Sequence, residues 1–99
     1  MKFDWDATKA AANVRKHGVS FEEAASVFYD PFQLSRRDQA HSIDEDRWTT
    51  IGTSNRLRVL IVVTTEREDD LIWLISARKA NRAEVNGYEE AQRRASRGE

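Results

Sequence analysis

The sequence has no cysteine, one proline and four glycines among its 99 residues. Without cysteine the chain can form no disulfide, no cysteine-ligated zinc site and no thiol nucleophile. Its longest apolar runs, such as Val59 to Val63, are far shorter than the roughly 20 residues that a membrane-spanning helix needs. The segment Met1 to Asp6 has no apolar core typical of a secretory signal peptide. These absences predict a cytoplasmic protein that makes no membrane contact.

The length predicts one domain over residues 1–99, because the chain is too short for two, and residues 96–99 are expected to fray. Charged residues make up 33% of the chain and hydrophobic residues 39%, which is polar for a globular protein. Nine aromatic residues and a middle rich in Val, Ile and Leu nevertheless argue against disorder. A core this lean favours a permanent partner, since binding buries surface that the monomer leaves exposed.

The net charge of -1 argues against a simple polyanion binder, but the charge is unevenly distributed. Residues 1–46 carry 6 basic and 9 acidic side chains, and residues 47–99 carry 10 basic and 8 acidic ones. Twelve of the 16 basic residues are arginine, which can grip phosphate or carboxylate through two parallel hydrogen bonds. A high-GC genome would give the same preference without any function, so both explanations stay open.

The first third of the sequence predicts a short strand at Phe3 to Trp5, followed by two short helices. The apolar positions of the first helix share one face: Ala7, Ala10, Ala11 and Val14. Gly18 stands where a glycine commonly ends a helix. A second helix begins at the capping box of Ser20 and Glu23 and ends before Asp30-Pro31. The two helices are expected to form an αα-hairpin.

The rest of the sequence predicts an antiparallel sheet and a final helix. Phe32 to Leu34 is compatible with a short strand, and the polar segment Ser35 to Asp46 is predicted to be a loop. Three runs rich in β-branched and aromatic residues follow: Trp48 to Gly52, Leu57 to Thr65 and Leu71 to Ala77. The short gaps between them permit only hairpins. A capping box at Asn81 and Glu84 begins a helix that runs to about Ala95, and the predicted fold class is α+β.

No motif in the sequence identifies a metal site or a nucleotide-binding loop. His17 and His41 are 24 positions apart, and Asp44-Glu45-Asp46 lacks the spacing of an EF-hand. Neither G-x-x-x-x-G-K-[ST] nor G-x-G-x-x-G occurs. We therefore expect no cofactor and no metal.

Arg58 and Arg78 are the main catalytic candidates. Arg78 lies at the end of the last strand and just before a capped helix, where a guanidinium is suited to bind phosphate. For a single arginine, pairing with an acidic neighbour is the favoured alternative. His17 and Glu45 have groups that can move protons, against the alternatives of a helix-ending cation and a solvated loop carboxylate. Trp5 is suited to stack on a base or, as we prefer, to pack against the αα-hairpin.

Three blocks of sequence, spread over about residues 3 to 90, follow one another at characteristic spacings. The first is Trp5-Asp6-x-x-Lys9, Asn13-x-x-Lys16-His17-Gly18-Val19-Ser20-Phe21-Glu22-Glu23-Ala24 and Val27-Phe28-x-Asp30-Pro31. The second is His41-Ser42-x-x-Glu45-x-Arg47, Ile51-Gly52-x-Ser54 and Arg58. The third is Ile75-Ser76-Ala77-Arg78-Lys79-Ala80 with Glu84 and Tyr88. Together these blocks resemble the BrnT family of toxins.

The resemblance implies a RelE-like fold, which is a small antiparallel sheet with an N-terminal αα-hairpin and a C-terminal helix. It implies the toxin of a type II toxin–antitoxin system, a metal-independent endoribonuclease that inhibits translation. It also implies neutralisation by a BrnA-like antitoxin with a ribbon-helix-helix domain, in a 2:2 heterotetramer. Promoter DNA would be contacted only through that antitoxin.

Metal-independent RNA cleavage needs a base for the 2′-hydroxyl, cations around the phosphorane and an acid for the leaving oxygen. The resemblance carries these roles over to residues in the matching blocks. The catalytic set is Arg58, Arg78, Glu45 and His17, and the RNA-binding set is Lys16, Arg47, Lys79 and Trp5. The alternative is a non-catalytic binding module that acts with its antitoxin as a transcriptional co-repressor, because the near-neutral charge fits it equally well.

Overall fold

The computed structural model of the chain describes residues 1–40 and 45–98. The elements are β1 (Lys2–Asp4), α1 (Ala7–His17), α2 (Phe21–Ser26), a 3-10 helix (Val27–Tyr29), β2 (Leu34–Arg37), β3 (Arg47–Thr53), β4 (Val59–Arg67), β5 (Leu71–Lys79) and α3 (Arg82–Ser96). This order confirms the α+β class with its N-terminal αα-hairpin and C-terminal helix. In the described part of the chain no helix is both long and apolar enough to cross a membrane.

The strands form one five-stranded sheet in the order β1-β5-β4-β3-β2. The pairs β2–β3, β3–β4 and β4–β5 are antiparallel, as predicted. Strand β1 instead pairs with β5 in parallel, so the sheet is mixed rather than wholly antiparallel. A parallel pair needs a long connection, and here the helices and three strands supply it. Residue patterns report only local pairing, which is why this contact was not foreseen.

Strand β2 begins later than predicted and occupies part of the segment expected to be a loop. Leu34–Arg37 pairs antiparallel with β3, with Ser35 opposite Thr50. The two hydroxyl oxygens of that pair lie 2.7 Å apart. Because β2 is an edge strand, one side of its backbone faces solvent and its side chains can be polar. The polar composition of residues 35–37 therefore concealed the strand.

Helix α1 buries a different face from the one predicted. Most of the expected apolar face is exposed: Ala7, Ala11 and Val14. The buried residue of α1 is Asn13, whose Nδ2 donates to the carbonyl oxygens of Val19 and Ala77, both at 2.9 Å. Its Oδ1 accepts from the Ala77 amide at 3.2 Å. A side chain that satisfies three backbone groups orients α1 more strongly than alanine methyls, which have little area to bury.

The two faces of the sheet have different surroundings. The α1–α2 hairpin packs on one face, which we call the covered face, and the core between them comprises Val19, Phe21, Ala24, Val27, Leu60, Val62, Leu74 and Ala77. Alternate strand residues point to opposite faces, so Ile61 lies on the other side, which we call the open face. Helix α3 extends over part of the open face, where Tyr88 and Ile61 line the same groove. The rest of the open face is left for function.

We expect Asn13→Ala to lower the free energy of unfolding by about 2 kcal/mol, because three buried backbone groups lose their partner. Urea denaturation followed by circular dichroism measures the change. Asn86→Ala, at an exposed position of α3, is the matched control and should not destabilise the chain. Equal stability of Asn13→Ala and the wild type would show that the bridge does not hold α1.

Candidate nucleic-acid interface

Arg58, Arg78 and Lys79 lie at one end of the sheet, and the last turn of α1, which carries Lys16 and His17, adjoins this end. Arg78 and Lys79 lie where β5 ends, opposite the start of β4. Arg58 immediately precedes β4, and its Nη2 donates to the carbonyl oxygen of Gly18 at 3.2 Å. This contact brings in the last turn of α1. We call this region the basic end of the sheet: Lys16, His17, Arg58, Arg78 and Lys79.

Arg58 is held by the buried carboxylate of Glu23. Its Nε donates to Glu23 Oε2 at 2.9 Å, and its Nη2 pairs with Oε1. The Ser54 hydroxyl donates to the same Oε2 at 2.7 Å. The Arg58 guanidinium lowers the pKa of Glu23, burial opposes this, and Ser54 lowers it further. Arg58 therefore joins α2 to the turn between β3 and β4.

Arg78 is held by Glu84, the residue that completes the cap of α3. Its Nη1 and Nη2 donate to Oε1 and Oε2 of Glu84 at 2.8 and 2.9 Å. The Asn81 amide also donates to Oε1, and the Asn81 side chain accepts from the Glu84 amide, both at 2.8 Å. Arg78, followed by the Asn81 amide, lowers the pKa of Glu84 from 4.5 to about 2. The Arg78 side chain still remains 44% exposed.

The two arginines share one end of the sheet but lie on opposite faces. Arg58 contacts α2 and the end of α1, which pack on the covered face. Arg78 is in register with Ile61 and contacts α3, on the open face. Each arginine pairs with a carboxylate. This is the alternative to phosphate binding that the sequence analysis favoured for a single arginine. A phosphate that contacts both must therefore bind across the end of the sheet, where Lys79 is exposed.

Glu45 and Arg47 lie at the other end of the sheet. Strand β3 begins at Arg47 and ends at Thr53, close to Arg58. The six residue steps from Arg47 to Thr53 span about 20 Å at 3.4 Å per residue. The structure thus brings neither residue to the basic end. His41, from the same sequence block, lies outside the described residues.

Trp5 packs in the interior, in agreement with the packing alternative. Its ring meets that of Phe21 edge-on, with centroids 5.9 Å apart and planes at 81°. A different tryptophan, Trp73, lies on the open face, and the Arg67 guanidinium stacks over its ring at 4.2 Å. The sequence analysis singled out neither Trp73 nor Arg67. Alternation along β5, which sets Trp73 opposite the buried Leu74, is the signal that could have found it.

Tyr88 anchors α3 to the sheet. It is 3% exposed, its hydroxyl donates to Asp30 Oδ2, and Thr53 Oγ1 lies 3.1 Å from its oxygen. Burial raises the pKa of Tyr88, and the Asp30 carboxylate raises it further. Burial alone would raise the pKa of Asp30, but hydrogen bonds from the Thr53 amide, Tyr88 and the Phe32 amide lower it overall. At neutral pH Asp30 is thus a charged acceptor and Tyr88 a neutral donor.

A groove of about 970 Å³ lies on the open face between β2 and α3. Ile51 and Ile61 form its floor, Leu34 flanks it on β2, and Gly87 and Tyr88 flank it on α3. Seven polar residues complete the lining: Ser35, Arg36, Arg37, Asp38, Gln39, Thr49 and Glu84. The groove is therefore apolar at its base and polar at its rim.

Three carboxylates near the basic end and α3 are already engaged. Glu23 and Glu84 each hold an arginine, and Asp30 accepts from three donors. Within residues 1–40 and 45–98, no group of three or more His, Asp and Glu side chains is placed to hold a metal ion. The described site therefore consists of cations, hydrogen-bond donors and a histidine.

Comparisons with known proteins identify the class. The profile of the family described as ribonuclease toxin, BrnT, of type II toxin-antitoxin system matches residues 5–84. The fold is similar to the 1.1 Å crystal structure of the Brucella abortus ribonuclease toxin BrnT, with a TM-score of 0.65 and 25% identity over 83% of this chain and 99% of that chain. A comparison with curated protein sequences finds no match. Fold and profile together define a ribonuclease toxin of a type II system.

The chain belongs to the BrnT family. The matched region begins at Trp5 and ends at Glu84, so it contains both arginines of the basic end and the carboxylates that hold them. The resemblance that the three sequence blocks indicated is confirmed.

Arg58→Ala is expected to lower the melting temperature by more than about 5 °C, because it leaves the Glu23 carboxylate buried without its counterion. The double variant Glu23→Gln/Arg58→Gln should recover much of this loss, since it buries no charge. Thermal melts followed by circular dichroism make the comparison, with Arg56→Ala as an exposed neighbouring control. A wild-type melting temperature for Arg58→Ala would contradict the structural role of the pair.

The ion pair of Arg78 and Glu84 predicts a defined pH dependence. Because the folded pKa of about 2 lies below 4.5, its stabilisation is complete above pH 4.5 and is lost as the pH falls toward 2. The stability difference between wild type and Arg78→Gln should shrink over that range. An NMR titration of the Glu84 carboxyl carbon should show its pKa rising in Arg78→Gln. Arg93→Gln, which removes a partner of Glu90, is the control and should leave Glu84 unchanged.

Proposed function

We propose that this chain cleaves RNA without a metal ion and that this cleavage inhibits translation. In the reaction the RNA 2′-oxygen bonds to the adjacent phosphorus, and the bond from phosphorus to the 5′-oxygen breaks. A base takes the proton of the 2′-hydroxyl, and an acid protonates the leaving 5′-oxygen. The products are a 2′,3′-cyclic phosphate and a 5′-hydroxyl. Negative charge builds up on the phosphorane oxygens, so prepositioned cations lower the barrier.

The convergence of cations at the basic end is the observation that carries this proposal. Lys16 and Lys79 are exposed there and can hold the phosphates on either side of the cleaved bond. Arg78 is fixed by two hydrogen bonds to Glu84, so it meets the phosphorane with little reorganisation. His17, half-buried at the end of α1, is the group proposed to move the proton. Family membership supports RNA as the substrate.

The other predicted residues take different positions in the proposed reaction. Arg58 acts from the covered side, where Glu23 and the Gly18 carbonyl fix its orientation. Glu45 and Arg47, about 20 Å away, are placed to contact RNA that flanks the cleaved bond. Glu45 is a candidate base only for RNA bound at that far end. Trp5 supports α2 from the interior rather than stacking on a base.

We propose a BrnA-like ribbon-helix-helix antitoxin as the partner, in a 2:2 heterotetramer. Membership of a type II toxin family implies a protein antitoxin. A dimeric ribbon-helix-helix protein offers two toxin-binding arms, which gives the 2:2 ratio. Promoter DNA is then contacted through the antitoxin. The cytoplasm, where both RNA and promoter are found, is the proposed location.

A transcriptional co-repressor without catalysis is the second candidate function. It is favoured by one observation, namely that Arg58 and Arg78 are each paired with a carboxylate. In a co-repressor the two arginines only stabilise the fold, and the chain acts solely together with its antitoxin. RNA cleavage by the isolated chain distinguishes the two functions.

We expect the purified chain to cleave RNA in the presence of EDTA and to leave 5′-hydroxyl ends. Replacing Lys79 by Ala together with Arg78 by Gln should lower the initial rate by about 100-fold, because both groups face the developing charge. Mapping of RNA 5′ ends after induction in bacteria should show the same difference. New ends that require added divalent metal would overturn the metal-independent reaction.

The matched control is Lys9→Ala, an exposed lysine near the start of α1 and away from the basic end. It should cleave at the wild-type rate. Circular dichroism of each variant separates loss of catalysis from loss of fold. If the folded wild type cleaves no RNA in cells or in vitro, the co-repressor becomes the better function.

A further inference from the structure

We infer that the groove between β2 and α3 is the docking site of the antitoxin, and that it receives an apolar segment bearing carboxylates. The inference rests on the proposed function for the partner, and it assigns to that partner a surface of this chain. Three features of the groove carry it: its apolar floor, a glycine in its helical wall, and the charge of its rim.

The floor of the groove is aliphatic. Ile51 and Ile61 come from adjacent strands in register, and Leu34 of the edge strand extends the same row. Leu34 is 48% exposed, so nearly half of an aliphatic side chain lies uncovered beside a concave surface. Such surfaces bind apolar groups of a partner. The aliphatic floor itself offers no side-chain hydrogen-bond donor to a phosphate.

Gly87 lies in the interior of α3, on the wall of the groove. A Cβ at this position would meet no atom within 4 Å, and its φ is not in the left-handed region. Glycine weakens a helix interior, so neither conformation nor packing in the free chain accounts for it. Close approach of another chain to the helix backbone does account for it. The open space next to Gly87 is therefore assigned to the partner.

The rim determines the charge of the occupant. Arg36 is exposed and lines the groove, and it has no ion-pair partner in the described part of the chain. Arg37 beside it is paired with Asp46, and the Glu84 carboxylate on the opposite wall is already neutralised by Arg78. The Asp38 carboxylate also lines the rim and is itself engaged. An apolar segment that carries a carboxylate toward Arg36 complements this rim. A polyanion would find a single unpaired cation there.

Both walls of the groove are fixed before any partner binds. Strand β2 is paired with β3, and α3 is anchored at Tyr88 by Asp30 and at Glu84 by Arg78. A site that is already formed loses little conformational entropy on binding. An amphipathic helix with its apolar side on Ile51 and Ile61 is a known way to fill such a groove.

Filling the groove from within tests the inference. Gly87→Leu adds a side chain in the open space, whereas the matched control Gly87→Ala adds one methyl group. Isothermal titration with the purified antitoxin encoded with this toxin should show affinity lowered by at least about tenfold in Gly87→Leu and by a smaller factor in Gly87→Ala, which adds only a Cβ at the contact. Both variants should melt at or above the wild-type temperature, because alanine and leucine favour a helix more than glycine does.

A second pair of variants tests the floor without changing α3. Leu34→Asp places a carboxylate at the groove, and Leu57→Asp makes the same change at a leucine that is 86% exposed in the β3–β4 turn. Only Leu34→Asp should weaken antitoxin binding, by about tenfold or more. Wild-type affinity in both Gly87→Leu and Leu34→Asp overturns the inference.

RNA cleavage by the same variants separates this inference from the proposed function. If Gly87→Leu loses cleavage but binds the antitoxin normally, the groove takes RNA and the docking assignment is overturned. If the wild type cleaves no RNA while Gly87→Leu weakens the antitoxin, the docking site stands and the proposed ribonuclease activity fails.

Discussion

The buried carboxylate of Glu23 is the constraint on which the basic end depends. It sits on α2 and receives Arg58 and Ser54, while Arg58 also reaches the carbonyl oxygen of Gly18. A charge removed from water must be paired, and Arg58 supplies the counterion. The pair thus fixes α2 and the end of α1 against the β3–β4 turn. Lys16 and His17 reach the end of the sheet for the same reason.

Two further carboxylates repeat this arrangement at other junctions. Asp30 joins the segment before β2 to β3 and to α3, and Glu84 joins α3 to β5. Gly52 permits the first of these contacts, since a Cβ there would lie 2.8 Å from Val27 Cγ1 and 3.2 Å from Asp30 Oδ2. These hydrogen-bonded carboxylates therefore add to the stabilisation that the small hydrophobic core supplies. The same contacts hold the proposed catalytic arginine in one orientation.

Local patterns in the sequence were sufficient to predict the ends of the helices. They could not reveal contacts between residues that are far apart in the chain. Asn81 and Glu84 form the full capping box that their spacing predicted. Ser20 accepts from the Glu23 amide, but the Glu23 side chain turns away to Arg58, 35 positions later. The burial of Asn13 likewise depends on Ala77, 64 positions away. Spacing cannot report such partners, so the helix face and the separation of the two arginines were missed.

Glu84 connects the two surfaces to which functions are assigned. Its carboxylate holds Arg78 at the basic end, and the same residue lines the groove between β2 and α3. A segment seated in that groove therefore adjoins the residue that orients the proposed catalytic arginine. Because the Arg78–Glu84 pair fixes the start of α3, the same contact holds one wall of the groove and orients the guanidinium at the basic end. One capping residue, Glu84, therefore contributes both to the wall of the groove and to the basic end.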